Sequence, residues 1–529
     1  MLLNTTSQNN FIEHNKIIFD LKKNKLIKKE KFFLIEFHKW HILHVINSYF
    51  MNLIKKDSIK IIAYANYRIH ESKNHFFDNL KWIFGKFFNI RNFAVYRSFG
   101  TDDFIIANPT ADNFAKAKII SFKLLKKIKK KNDIINISID DVWIGDLIYD
   151  SYLKSYSLPT INISSERFKI FLIKSIALFL FWKDFFKSHN IEGVACAHSV
   201  YLDGLPVRIA AINNIVSYNL DNNKIYRICR KDISKNKGYS GSWSQFRFYK
   251  KEFKKLPNKN LLLKLGKKNL KEIISGKKKY HYITNISPPD QNYRNQIIKK
   301  SKRLKVFIFA HSFFDSPHVF GKFLFTDFYE WLKFLKNVSL ETDYDWYIKP
   351  HPNSRGDLDL SIIKQLFKNS NIRIVLDQLS LNSIFRSGID CILTVHGTIA
   401  SEFSYYGKKV INASYINPHK DYKFSFTPKN ISSYKKMIKN LDKNKFLVNK
   451  KELYEFHYMK SSYYSDHIFF DNDFLYKSRK FGKRDVLYTE RAYDLCINNY
   501  TKEFHNKINI ILTNFINSND YCINISHDQ

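Results

Sequence analysis

Between Tyr344 and Gly407 two apolar runs stop abruptly at polar or punctuating residues: Trp346-Tyr-Ile-Lys-Pro-His-Pro352 and Ile392-Leu-Thr-Val-His-Gly-Thr-Ile-Ala-Ser-Glu402. Each reads as a buried parallel strand that delivers its C-terminal end to a site. Sites in open α/β sheets lie at such ends. Two of these strand ends, separated by roughly one or two strand-helix-strand lengths, commit this part of the chain to an α/β fold with a parallel sheet.

In the second run, Ile392, Leu393 and Val395 supply the strand and His396-Gly397-Thr398 the turn. Ala400 to Tyr406 has the composition of a helix, closed by Gly407 as C-cap. Unpaired N–H groups at a helix start favour an anion, and Gly397 has no Cβ to block its approach. The run therefore reads as a phosphate site to which Thr398 and Ser401 add hydroxyls, with Glu402 one turn on, in reach of a ribose. An ordinary turn capped by Ser, Thr and Gly explains the same residues. In the first run Pro350 and Pro352 bracket His351 and hold its imidazole, with Lys349 a cation beside it. A histidine can give a proton or hydrogen bond to a leaving phosphate.

At 529 residues the chain is too long for one core, and 44% hydrophobic residues are ample to bury two or more. The formal charge of +39 comes overwhelmingly from Lys, scattered among Asn, Ile, Phe and Tyr as in the product of an AT-rich genome. A nucleic-acid partner is therefore not expected, and an anionic membrane surface or phosphate-rich glycolipid is the preferred partner for the charge. The five cysteines are far apart and include no CxxC pair, so neither a disulfide framework nor a zinc site is implied. No basic segment followed by an apolar core opens the chain. The most apolar window, Phe168 to Phe186, carries Lys169, Lys174, Lys183 and Asp184, and reads as a buried helix. A cytoplasmic protein, peripheral on the inner face of the membrane, is expected.

Along the chain, residues 1–30 are polar and read as a flexible lead-in. A strand at Phe32–Glu36, a helix from His38 to Ile54 and a strand at Ile59–Tyr64 open a first parallel sheet. His38, His41 and His44 lie near one helix face without a carboxylate or cysteine, and read as interior or interface histidines. A strand at Ile134–Ile139 is expected to run into a loop with four carboxylates, Asp140, Asp141, Asp146 and Asp150. Helix capping or acceptor binding would explain that cluster. His198 follows the strand Gly193–His198, where a catalytic residue is expected, and Asp203 precedes an apolar helix as either a base or an N-cap. Lys250 to Arg303 reads as a connection with its own helix near Lys259 to Ser275. A second β-α-β series then runs from Leu304 to Asn412, and the tail from Lys480 to Phe515 is helical.

The pieces Lys349-Pro-His-Pro352, Val395-His-Gly-Thr-Ile-Ala-Ser-Glu402 and Gly407-Lys-Lys-Val-Ile-Asn-Ala413 resemble the bacterial capsule and surface polysaccharide glycosyltransferases, a group that includes capsular Kdo transferases and polysialyltransferases. His311-Ser-Phe-Phe-Asp315 and Gly145-Asp-Leu-Ile-Tyr-Asp150 resemble further blocks of surface carbohydrate biosynthesis proteins. The resemblance covers chiefly residues 304 to 415 and more weakly 137 to 215. It implies a GT-B-like α/β fold, two Rossmann-like domains with parallel sheets facing across a cleft and a C-terminal helix crossing back.

On that template, residues 31–250 form an N-terminal acceptor domain, 251–303 a linker with a helix, 304–478 a nucleotide-sugar domain, and 479–529 a helical tail on the N-terminal domain. His351 would bind or protonate the departing phosphate. Lys349, His311, His396, Gly397, Thr398 and Ser401 would hold the donor, and Glu402 would contact its ribose or base. The paired acidic motif that often marks a general base in such families is absent. Only Leu202-Asp203-Gly204 stands in its place, so Asp203, His198 and Asp146 all remain candidates. The implied reaction is transfer of a sugar from a nucleotide-activated donor to a surface glycan or glycolipid acceptor, with no metal and no cofactor beyond the donor itself. Alternatives are a polyol-phosphate transferase of teichoic-acid type and a catalytically silent glycan- or nucleotide-binding member of an assembly complex. A nucleotide-sugar epimerase fits less well.

Overall fold

The computed structural model describes residues 3–19, 31–55, 58–66, 75–197, 199–221, 224–236, 238–241, 243–275, 298, 301–351, 357–375, 381–443, 447–464 and 488–523. The chain divides into two compact units. The first is Met1–Tyr149 with Asn162–Ser234 and Tyr464–Gln529, and the second is Asp150–Ile161 with Lys235–Tyr463. Each is built on a mainly parallel sheet with helices on its faces, the α/β class expected from the strand pattern.

The first unit holds six strands: β1 Lys31–Glu36, β2 Ile59–Asn66, β3 Asp103–Ala107, β4 Ile191–Cys196, β5 Val216–Asp221 and β6 Lys224–Ile228. Their order is β3-β2-β1-β4-β5-β6, parallel throughout except for β6, which runs antiparallel to β5. Phe33, Leu34 and Ile35 of β1 are all buried, as a central strand covered on both faces requires. Helices α1 (Thr6–Ile18), α2 (His41–Ile54), α3 (His75–Phe88), α4 (Asn92–Ser98), α5 (Ala111–Lys127), α6 (Glu166–Ser188) and α7 (Leu205–Ile212) surround it.

Helix α1 corrects the expectation of a loose lead-in. Thr5 and Gln8 close a capping box, and Gln8, Phe11, Ile12 and Asn15 make one buried face. Two of these four are polar, which hides the stripe, and Asn15 Nδ2 donates to Ser98 Oγ at 2.9 Å. Phe11 stacks on Tyr493 of the helix Arg491–Asn498. That helix and Lys502–Asn517 bring Tyr493, Ile508, Ile511, Leu512 and Phe515 into the core formed by α2, so the chain returns from its C-terminal region to complete the first unit. His44 is buried between Tyr493 Oη and the carbonyl of His38.

The strand read at Ile134–Ile139 is also corrected. Lys131–Ile135 is helical, and only Ser138–Ile139 pairs, in a tight hairpin with Val142–Trp143. Asp140 and Asp141 both have positive φ, 48° and 64°, the backbone of a two-residue hairpin turn.

The second unit has five parallel strands: β7 Lys305–Phe309, β8 Asp345–Lys349, β9 Ile372–Ile374, β10 Cys391–Thr394 and β11 Lys409–Asn412, in the order β9-β8-β7-β10-β11. Alternate residues separate two cores. Val306, Ile308, Trp346 and Ile348 pack with Trp331, Leu332 and Leu335 of a helix at Phe328–Leu340. On the other face Phe307, Tyr347, Ile392 and Val410 pack with Ile399, Ala400 and Phe403.

The boundaries read from sequence shift accordingly. Residues 150–161 join this unit, where Thr160 Oγ1 donates to Asp327 Oδ2 at 2.5 Å. Residues 235–250 do too, through Lys322 N–H bonded to the carbonyl of Gly238 at 2.8 Å. The helix Lys259–Ile274, read as part of a linker, packs on Lys450–Tyr458 within the second unit. Residues 276–297, 299 and 300 of that linker, and residues 480–487 of the tail read as helical, lie outside the described residues.

At the crossing of those two helices an added Cβ on Gly266 would stand 2.0 Å from the carbonyl oxygen of Tyr454. Gly266→Ala is therefore expected to lower stability by up to about 2 kcal/mol in thermal melts, overpacking of ~1–3 kcal/mol set against ~1 kcal/mol of helix propensity. Among the described residues no helix is long and apolar enough to cross a membrane.

Candidate functional site

The second sheet begins at its middle strand, β7, steps outward to β8 and β9, and then returns to the other side of β7 for β10 and β11. That reversal creates a crevice beyond the C-terminal ends of β7 and β10, the place where ligands bind open α/β sheets. Three adjoining strands, β8, β7 and β10, end there on His351, His311 and His396.

The three imidazoles lie together. The ring centroids of His311 and His396 are 4.6 Å apart, and those of His311 and His351 are 6.5 Å apart with nearly parallel planes. Phe328 stacks on His311 at 4.6 Å and fixes its orientation. The N–H of Val395 donates to His311 Nε2 at 3.3 Å, and Thr394 Oγ1 lies 3.2 Å from the same nitrogen. An Nε2 that accepts from an amide leaves the ring proton on Nδ1. His311 is held neutral as well, because burial, then His396 and His351, depress its pKa well below the ordinary value. Burial likewise lowers His396 to about 3, with smaller effects from His318 and His351. At neutral pH His311 and His396 therefore act as polar hydrogen-bonding groups rather than as cations.

The other residues read from the sequence divide. Lys349 is buried at the end of β8, beside His351. Gly397 is required by the turn: a Cβ there would stand 2.8 Å from Thr394 Oγ1, which accepts from the Gly397 N–H at 3.3 Å. The helix that follows, Ile399–Tyr405, is only seven residues long. The Ser401 hydroxyl donates to the carbonyl of Thr398 at 2.9 Å within this helix and is almost fully buried, so its expected place as a donor-site hydroxyl is taken by a local bond. The Thr398 hydroxyl bonds Glu402.

Glu402 is half-buried, and burial raises its pKa to about 7 against smaller opposing effects of Lys460 and Thr398. Its folded pKa lies above the ordinary 4.5, so the stability it contributes is fully present below about pH 4.5 and is lost as pH rises through about 7. Against Glu402→Gln, the wild type is expected to lose up to about 3 kcal/mol over that window, read as a steeper fall of Tm with pH. Equal slopes would show that Glu402 does not titrate in the fold.

Sequence reasoning passed over two features here. Lys460 sits on a π-helical turn, Met459–Tyr463, whose extra residue no periodicity reveals. Asp150, read only as a member of a carboxylate cluster, forms a buried pair with His318. Asp150 Oδ1 is 2.6 Å from His318 Nδ1, and Asp150 Oδ2 accepts from the His318 N–H at 3.0 Å.

In the first unit the strand order reverses between β1 and β4. Glu36, at the end of β1, accepts from the Ala197 N–H at 2.6 Å. It too was missed, although a carboxylate closing the apolar run Phe32–Ile35 is a visible signal. Asp203 accepts from Asn66 Nδ2 at 3.0 Å, and Asn66 in turn accepts from Trp182 Nε1 at 2.8 Å, which leaves Asp203 half-buried in a fixed pose. His198 lies outside the described residues.

Asp146 is corrected as a base candidate. Both of its oxygens bond Arg208, at 2.6 Å each, and both side chains are 2% exposed. The guanidinium also donates to the Trp143 carbonyl at 2.6 Å and lies 5.0 Å from the Trp143 ring centroid. A carboxylate so enclosed and paired cannot take a proton from a substrate. The sequence shows the cluster of four carboxylates but not the arginine, 62 residues on, that claims one of them.

No family model matches the chain, and no curated protein does. Solved structures resemble it at low identity. A Thermosulfurimonas dismutans KpsC, a beta Kdo 2,4 transferase, is 13% identical, with 51% of this chain and 79% of that one covered at a TM-score of 0.31. A UDP-GlcNAc 2-epimerase from Neisseria meningitidis bound to UDP-GlcNAc is 10% identical over 81% and 97%, with a TM-score of 0.25. The wall teichoic acid polymerase TagF is 11% identical over 96% and 95%, with a TM-score of 0.21. Likeness at this level does not decide the reaction, and the architecture rests on the chain's own strand order.

Proposed function

We propose that the chain is a glycosyltransferase that moves a sugar from a nucleotide-activated donor to a glycan or glycolipid of the bacterial surface. The observation that carries this reading is the convergence of His311, His351 and His396 at the reversal point of the second sheet. Imidazoles gathered at strand ends are preorganised hydrogen-bonding groups for the oxygens of a leaving phosphate, and stabilising that charge is the main task in transfer from a nucleotide sugar. His351 is proposed to bind or protonate the leaving phosphate, with Lys349 adding positive charge beside it. Glu402 is proposed to meet the ribose or base of the donor. Asp203 or His198 is proposed to deprotonate the acceptor hydroxyl, and the reaction is proposed to need no resident cofactor.

The test is a thermal-shift and calorimetric screen against UDP-, GDP-, CMP- and CDP-linked donors. A ligand of the native state raises Tm by mass action. One nucleotide class should stabilise the wild type, and His351→Ala and Glu402→Ala should lose the response. Release of CMP from a CDP-polyol would replace the sugar by a polyol phosphate. Binding without turnover in the presence of acceptor would reject catalysis.

A further inference from the structure

Helix α5 of the first unit carries apolar side chains on its outer face as well as towards the protein. Its inward face carries Asn113, Ala117 and Ser121, and Asn113 bonds Asp184 of α6 at 2.8 Å. Two of its large apolar side chains nevertheless point outward, Ile119 at 59% and Phe122 at 60% exposure, while Phe114, Ile120, Leu124 and Leu125 are half-buried. Ala115, Ile119, Phe122 and Lys126 follow one another at i, i+4, i+7 and i+11, a single row along the exposed face. Lys116, Lys123 and Lys127 flank the row on one side and Lys118 on the other. Lys126 Nζ lies 4.3 Å from the Phe122 ring centroid.

Eight lysines stand between positions 116 and 131. Lys116 is paired with Asp112, whereas no ion pair engages Lys118, Lys123, Lys127 or Lys129 among the described residues.

We infer that α5 docks on an anionic phospholipid surface. A nucleic acid would be served by the lysines alone. An apolar row between two lysine flanks matches a bilayer interface, where Ile119 and Phe122 enter the acyl boundary and the lysine stems extend outward to the headgroup phosphates. The inference does not depend on the transferase reading, since docking requires neither the histidines nor a donor.

The experiment is sedimentation of the full chain with vesicles of phosphatidylcholine alone or mixed with phosphatidylglycerol. Binding is expected only to the anionic vesicles and should weaken as salt rises. Lys123→Gln with Lys127→Gln should reduce partitioning about fivefold per lysine. Ile119→Ser with Phe122→Ser should reduce it about tenfold at unchanged charge. Lys264→Gln with Lys268→Gln, on the exposed face of the helix Lys259–Ile274, removes the same charge elsewhere and should leave partitioning unchanged. The inference is overturned if no vesicle binds, if the control pair lowers binding as much as the α5 pair, or if the serine variant binds like wild type. It is also overturned if a polyuridylate chain competes for α5 with an affinity insensitive to the serine substitutions, which would make the face a nucleic-acid surface.

Discussion

Replacing His351 with alanine is expected to lower turnover about 10²–10³-fold, the usual loss when one preorganised donor to a developing anion is removed, while Tm stays within about a degree of wild type. The side chain ends β8 without being buried in either core of the second unit, so its removal opens no apolar cavity. Single-turnover rates with the donor found by the screen, compared with donor affinity from calorimetry, separate its two roles. A loss confined to rate marks action on the leaving group, whereas equal losses in rate and affinity mark simple holding. A well-folded variant with unchanged turnover would remove His351 from the mechanism.

Asp146→Ala should behave in the opposite manner. It leaves the guanidinium of Arg208 buried and stripped of its bidentate partner, for which a loss of about 3–5 kcal/mol is expected. Replacing both partners, Asp146→Leu with Arg208→Met, should recover much of that loss, because two apolar groups need no compensation. Thermal melts of the single and double variants measure the difference. If the single variant kept its Tm and lost only turnover, Asp146 would return as a candidate base.

These contrasts show what the sequence made legible. Strands β7, β8 and β10 of the second sheet stand out because each carries a short apolar run that stops at a polar residue, and Ile308, Ile348 and Leu393 occupy these neighbouring central strands. His311, His351 and His396 were therefore readable as strand-end residues, while their mutual approach was not, because it depends on strand order and not on spacing in the chain. Local chemistry misled where two signals overlap. Asp140 and Asp141 look like part of a binding loop but serve as the left-handed pair of a hairpin turn. Helix α1 escaped notice because half of its buried stripe is Gln8 and Asn15. The pairs Asp146–Arg208 and Asp150–His318 join residues 62 and 168 positions apart, distances over which residue types alone carry no information.

The first unit is assembled from three separate stretches of chain, the last of which supplies Tyr493, Ile511 and Phe515 to the core around α2. A ribosome releases the whole of the second sheet, ending at Asn412, before that stretch exists. The unit that begins first in the chain is therefore the last to be finished, and until then Ile42, Tyr49 and Phe50 wait without part of their cover. During synthesis, the order of maturation runs against the order of translation.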